Sequence, residues 1–348
     1  MGRALAAAAL VAALAGIVHA GGTGFDRFPA GVQASTLLRA DAPSVTPAVT
    51  AGWHGGTLPT KTGESVTVFV SDTYAPEQVS PQVWADFFAG LPHGKELSSV
   101  TVRIAPIAEV AMLCGSGDAD GCYHNNQNEI VMNGELAGRS PPEDAARHEY
   151  GHHIAANRVN PPWVALASGT KRWATAEQIC IRVKAGTAYP GDEGDHYQLN
   201  PGEAFAEAYR VLAEQKAGKT LSSWGVVDGS FFPDPAALSA VEQDVLKPWL
   251  APTTTKVSGR FLVAGPKRRL LPLVTPLDGQ ISIELRLPRG RLDTLELLSP
   301  AGKVVARGLW SGASVRRLSY LDCGARRFTL RVTRAGYPGQ FGLTVTRP

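Results

Sequence analysis

The chain has 348 residues, 44% hydrophobic and 19% charged, with a formal net charge of +3. That length predicts two domains. The slight basic excess comes without a nucleic-acid recognition motif, so nucleic acid is not expected as a partner. Beyond the first twenty residues no apolar run is long enough for a membrane-spanning helix.

Met1-Gly2-Arg3 leads into an Ala/Leu/Val run that ends at Val18-His19-Ala20. A basic start, an apolar stretch and a V-x-A site make the pattern of a secretory signal peptide, residues 1–20, cleaved after Ala20. The mature chain is therefore expected to be extracellular, with no membrane partner once the signal is removed. Residues 21–60 are rich in Gly, Ala, Thr and Pro and read as a lead-in or short pro-segment. Residues 61–250 mix strands and helices. Residues 65–70 (SVTVFV) alternate as a strand does, and residues 81–90 place Val83, Trp84, Phe87 and Phe88 at helical spacing. Further strands are expected at 100–104 and at Glu129–Asn133.

Four cysteines suit an oxidising compartment. Cys114 and Cys122 flank a Gly/Ser/Asp stretch that closes easily, which predicts a bridge between them. Cys180 and Cys323 are then left to pair.

Two helices follow. Ser140, Pro141 and Glu143 fit the N-cap, N1 and N3 positions of the first, and Asn160-Pro161-Pro162 bounds it. Asn200 and Pro201 fit the N-cap and N1 of the second. Residues 251–255 (APTTT) read as a linker. After it, short strands at 257–263, 280–287, 293–298, 303–307, 328–333 and 341–346 alternate with Gly/Pro/Asp turns, as in a small all-β sandwich over 256–348. The fold class is thus α+β followed by all-β. Basic residues gather after residue 256, and their scatter among strands and turns reads as solvated faces.

The first helix carries His148-Glu149-Tyr150-Gly151-His152. Residues four apart share a helical face, so the two imidazoles point the same way and can grip one Zn²⁺. Glu149 between them is placed to take a proton from water at the metal. This composition yields only about 0.01 chance matches to that motif. Catalytic zinc takes three protein ligands. Ala155 and Arg158 stand where a metzincin needs Gly and His, which excludes that third ligand, and His153 lies about 100° round the helix. Glu203 and Glu207 share one face of the second helix. One can bind zinc while the other accepts the free N–H of a ligating histidine.

The H-E-x-x-H run followed by a helix bearing E-x-x-x-E resembles the gluzincin metalloproteases, the group that includes thermolysin and anthrax lethal factor. The Ala-Phe-Ala-Glu-Ala-Tyr run at 204–209 is closest to the lethal-factor type. The wider arrangement is similar to secreted metalloproteases of actinobacteria. The resemblance implies a zincin-like catalytic domain over 61–250, a peptide or protein substrate and one catalytic Zn²⁺. It implies Glu203 as third ligand, Glu207 orienting His148, and Glu149 as general base. Lethal-factor-type enzymes carry a Tyr seven residues before the ligand Glu. Here His196 holds that place and Tyr197 is next to it, so either is a candidate to steady the oxyanion. The resemblance also makes Glu129–Asn133 the edge strand that pairs with substrate. The segment between His152 and Glu203 is longer than in thermolysin and is not placed by the comparison.

Asp192, Glu193 and Asp195 share a loop that could take Ca²⁺, but three acids do not define such a site. The alternative to an endopeptidase is a non-catalytic zinc-containing protein, its metal closed by Glu207 or His196, or a cell-wall or surface binding protein that works through its C-terminal domain. Nothing in the sequence sets an oligomeric state.

Overall fold

The computed structural model describes residues 52–117, 119–136, 140–324 and 326–348. The expected signal peptide and its cleavage after Ala20 lie outside them. The first half runs β1 (Trp53–Pro59), β2 (Ser65–Ser71), α1 (Pro81–Ala89), β3 (Thr101–Ala105), α2 (Ile107–Cys114), β4 (Gly121–His124), β5 (Glu129–Asn133), α3 (Pro142–Ala156), α4 (Ala165–Ser168), α5 (Lys171–Ala176), α6 (Ile179–Ala185), α7 (Pro201–Lys216) and α8 (Pro235–Leu246). Its sheet has the order β1-β2-β3-β5-β4. The inner pairs β2·β3 and β3·β5 are parallel, and the outer pairs are antiparallel. Val66, Val68 and Val70 alternate into the core, as the period of two in β2 predicts. They share one buried cluster with Phe88 of α1, Tyr150 and Ile154 of α3, and Phe205 and Tyr209 of α7.

The second half is all strand: β6 (Thr253–Phe261), β7 (Arg268–Val274), β8 (Gly279–Arg286), β9 (Thr294–Leu298), β10 (Val304–Arg307), β11 (Leu309–Trp310), β12 (Val315–Asp322), β13 (Arg327–Thr333) and β14 (Gly339–Arg347). Two antiparallel sheets, β10-β9-β13-β7 and β11-β12-β8-β14-β6, enclose a separate core around Ile283, Leu285, Leu297, Leu330 and Leu343. The chain is thus a mixed α/β half followed by a sandwich. The expected Cys114–Cys122 disulfide forms, and the two cysteines it leaves over form a second, Cys180–Cys323.

Four expectations need correction. Glu129–Asn133 is not an edge strand: β4 pairs along its free side, so β5 is internal and β4 is the edge. The stretch after Cys114 folds back as that extra strand. Residues 53–59, expected within the lead-in, pair with β2 along their whole length. Thr253, expected in the linker, already belongs to β6. Ser140 does not cap the first helix, which begins one residue later behind Pro141; its N–H and hydroxyl donate instead to Asp120 Oδ2, at 2.8 and 2.9 Å. Strand β7 escaped the sequence reading because RRLLPLV lacks alternation and holds Pro272, which suits an edge strand.

Candidate metal centre

The site is built where α3 crosses α7. Alanines at 145, 146, 155 and 156 favour helix in α3. In α7, Asn200 Oδ1 accepts from the Gly202 N–H at 2.9 Å, and Pro201 supplies a preset φ. Gly151 lets the two helices meet. A Cβ there would lie 2.7 Å from Ala206 Cα. The third residue of the H-E-x-x-H run after its first His is therefore a contact residue, and it brings the carboxylates of α7 against the imidazoles of α3.

His148 Nε2 and His152 Nε2 stand 3.1 Å apart. Glu203 Oε2 lies 3.1 Å from the first and Oε1 3.3 Å from the second. All three residues are buried, and they are the one group among the described residues whose donor atoms converge as metal ligands do. The donor set fits zinc. A tetrahedral ion with Zn–N bonds of about 2.0–2.1 Å would space two nitrogens about 3.3 Å apart. Two ring nitrogens with their lone pairs facing at this distance also need a cation or proton between them.

Glu207 takes the outer side of His148, with Oε1 2.9 Å from Nδ1. A carboxylate can only accept, so Nδ1 carries a proton, which leaves Nε2 as the nitrogen that would bind an ion. Arg210, which the sequence reading passed over, clamps Glu207 at 2.7 Å and reaches Glu214 at 2.7 Å. The spacing of Glu207, Arg210 and Glu214 along one helix was the available signal. Burial would raise Glu207, but the hydrogen bonds from His148 and Arg210 outweigh it and bring its pKa down to about 2. Burial likewise opposes ionisation of Glu203, and the two histidines overcome it and hold its pKa well below the usual carboxylate range.

Glu149 behaves differently. Burial pushes its pKa up, and the charges of Glu203 and Glu207 add to the rise against the opposing pull of His148 and His152. It lies under the edge strand: a Cβ on Gly121 of β4 would come within 3.2 Å of Glu149 Cγ. So the edge that borders the acid is β4, held by the Cys114–Cys122 bridge.

Of the two oxyanion candidates, the structure brings Tyr197 to the centre and not His196. The Tyr197 hydroxyl donates to Glu203 Oε2 at 2.9 Å. The His196 ring stacks on Tyr189 with centroids 3.8 Å apart and bonds Asp192 at 2.9 Å. Asp192 and Glu193 do not converge on a cation site either; Glu193 accepts from Asn200 Nδ2 at 2.9 Å. Burial, with Glu203 adding, raises Glu193 to about 7. His153 faces away from the centre, between the Tyr123 hydroxyl and the Glu96 carbonyl.

No protein-family model matches this chain, and no curated protein matches it. Among solved structures, the pre-peptidase C-terminal domain of collagenase from Bacillus anthracis aligns over 26% of this chain and 88% of its own, at 18% identity and a TM-score of 0.23. PliG of Aeromonas hydrophila, a periplasmic lysozyme inhibitor of g-type lysozyme, aligns over 27% of this chain and 84% of its own, at 11% identity and a TM-score of 0.20. The SPBc2 prophage-derived protein YomS aligns over 28% of this chain and 98% of its own, at 12% identity and a TM-score of 0.19.

Proposed function

We propose that this chain is a secreted zinc-dependent endopeptidase of the gluzincin type, with a zincin-like catalytic half. The observation that carries the reading is the convergence of His148 Nε2, His152 Nε2 and the Glu203 carboxylate beside a buried, proton-seeking Glu149. His148, His152 and Glu203 would hold the ion, which supplies Lewis acidity toward a peptide carbonyl when bound. Glu149 takes the proton of the attacking water and delivers it to the departing amide nitrogen. Glu207, fixed by Arg210, keeps the His148 proton on Nδ1. Tyr197 Oη, already beside Glu203, is the donor for the oxyanion. The β4 edge lies over Glu149 and presents backbone groups to an extended peptide. Backbone pairing makes little demand on side chains, so the substrate class is peptide or unfolded protein.

The test is cleavage of a mixed peptide library by the zinc-loaded chain beside Glu149→Gln. Wild type should cut, and the variant should bind zinc equally while losing about 10²–10⁴-fold in rate. Zinc binding without cleavage by wild type would reject the endopeptidase in favour of a non-catalytic zinc protein. Equal cleavage by both would remove Glu149 from the chemistry.

A further inference from the structure

The two ends of the sandwich differ in kind. One end is bolted to the mixed half. There Cys323 bridges to Cys180, the Asp278 N–H donates to Thr175 Oγ1 at 3.1 Å, and Gly279 sits so close to Lys171 that a Cβ would lie 2.8 Å from Nζ. The other end carries the β6–β7, β8–β9 and β13–β14 loops. These are tied together: Arg334 donates through its N–H to Lys267 O and through Nη1 to Leu262 O, at 2.8 and 2.7 Å, and the Tyr337 hydroxyl donates to Arg289 O at 2.7 Å.

This free end exposes large apolar side chains from all three loops. Leu262 is 57% exposed, Val263 81%, Leu292 61% and Tyr337 52%. Around them stand Arg260, Lys267, Arg268, Arg289 and Arg334. None of these five has a carboxylate at ion-pair distance among the described residues, whereas Arg286 and Arg291 nearby are paired with Glu284 and Asp293. The sequence explains the imbalance: residues 251–277 and 334–348 contain no Asp or Glu. A groove of about 650 Å³ lined by Ser258, Arg260, Arg286 and Gln340 opens at the same end.

We propose that this end of the sandwich docks the protein on an anionic lipid surface. Leu262, Val263, Leu292 and Tyr337 enter the interfacial layer, and the surrounding cations face the headgroup phosphates. A soluble polyanion would be drawn by the cations alone and would leave the apolar side chains in water. A bilayer surface satisfies both. The expectation of no membrane partner rested on the lack of a spanning segment, and attachment by loops needs none. Docking here would leave the opposite end, with the metal centre's half, directed away from the surface. The proposal stands whether or not the chain cleaves peptides.

The experiment is co-sedimentation of the full chain with vesicles of equal parts phosphatidylcholine and phosphatidylglycerol, and with phosphatidylcholine alone. Two exposed-site double variants accompany it, Leu262→Ser with Val263→Ser and Lys267→Glu with Arg268→Glu, each checked for wild-type melting. Binding to the anionic vesicles only, weakened by salt and lowered at least about tenfold in each variant, supports the proposal. No binding at low salt overturns it. So does loss in the charge variant with the serine variant binding as wild type, which would mark the face as a polyanion contact.

Discussion

At the scale of single residues, Glu203 and Glu207 of α7 carry different loads despite equal chemistry. Glu203 meets both imidazoles, while Glu207 meets only the outer nitrogen of His148 and is held by Arg210. Glu203→Ala is expected to abolish stoichiometric zinc binding, and Glu207→Ala to weaken it by about 10–100-fold. Metal analysis after dialysis separates the two, and the reverse order would exchange their roles. A second acid is exposed to pH by its surroundings. Burial pushes Glu177 up to about 7, with Arg182 opposing and Asp234 adding. Its folded pKa thus exceeds the unfolded value of about 4.3. The folded state holds an extra proton between these values, so the associated stability is present in acid and lost as pH rises toward neutral. Urea titrations at pH 4 and pH 7.5 should show Glu177→Gln gaining up to about 3 kcal/mol relative to wild type at the higher pH. An unchanged difference across that range would show that Glu177 titrates normally.

At the scale of elements, the α3–α7 crossing decides the site. The side chains of His148, His152 and Glu203 reach one point because Gly151 allows the backbones to touch at Ala206. Gly151→Ala must push α7 back, at a cost of about 1–3 kcal/mol in stability. Zinc affinity should fall with it, because Glu203 and Glu207 move together on a stiff helix. A variant with wild-type melting and wild-type zinc affinity would show that the contact has room to spare. The Asn200 cap works at the same scale. Its amide accepts from Gly202 and Gly191 and donates to Glu193, so the loop that carries Tyr197 is tied to the first turn of α7.

At the scale of the whole molecule, two cores share one chain through a small set of buried links. Lys171 is among them: Nζ lies against Gly279 of β8 and donates to the Pro161 carbonyl at 2.7 Å, and burial lowers its pKa to about 8 against the opposing charges of Asp278 and Asp244. The Cys180–Cys323 bridge closes a separation of 143 residues, whereas Cys114–Cys122 closes 8. Replacing Cys180 and Cys323 together by Ser should cost about 2–4 kcal/mol, more than the same change at Cys114 and Cys122, because the longer loop frees more conformations when open. Denaturant midpoints of the two double variants give the comparison. Equal losses would mean that the unfolded chain is already constrained near residue 323.

Local periodicity and covalent reach were legible in the residues themselves. A four-residue spacing must put His148 beside His152 and Glu203 beside Glu207, Asn200-Pro201 must start a helix, and a separation of 8 readily lets Cys114 close on Cys122. These depend only on neighbours in the chain. What required the tertiary structure was every choice between equivalent neighbours. His196 and Tyr197 differ by one step, and the direction of each was settled by Tyr189 and Asp192 on one side and Glu203 on the other. The same holds for β5, whose own residues make a strand but cannot say that β4 will cover its outer edge. Nor could separate Leu and Arg residues, scattered over some eighty positions, announce that the sandwich would bring them to one end; strand direction and pairing, set by long-range contacts, decided that.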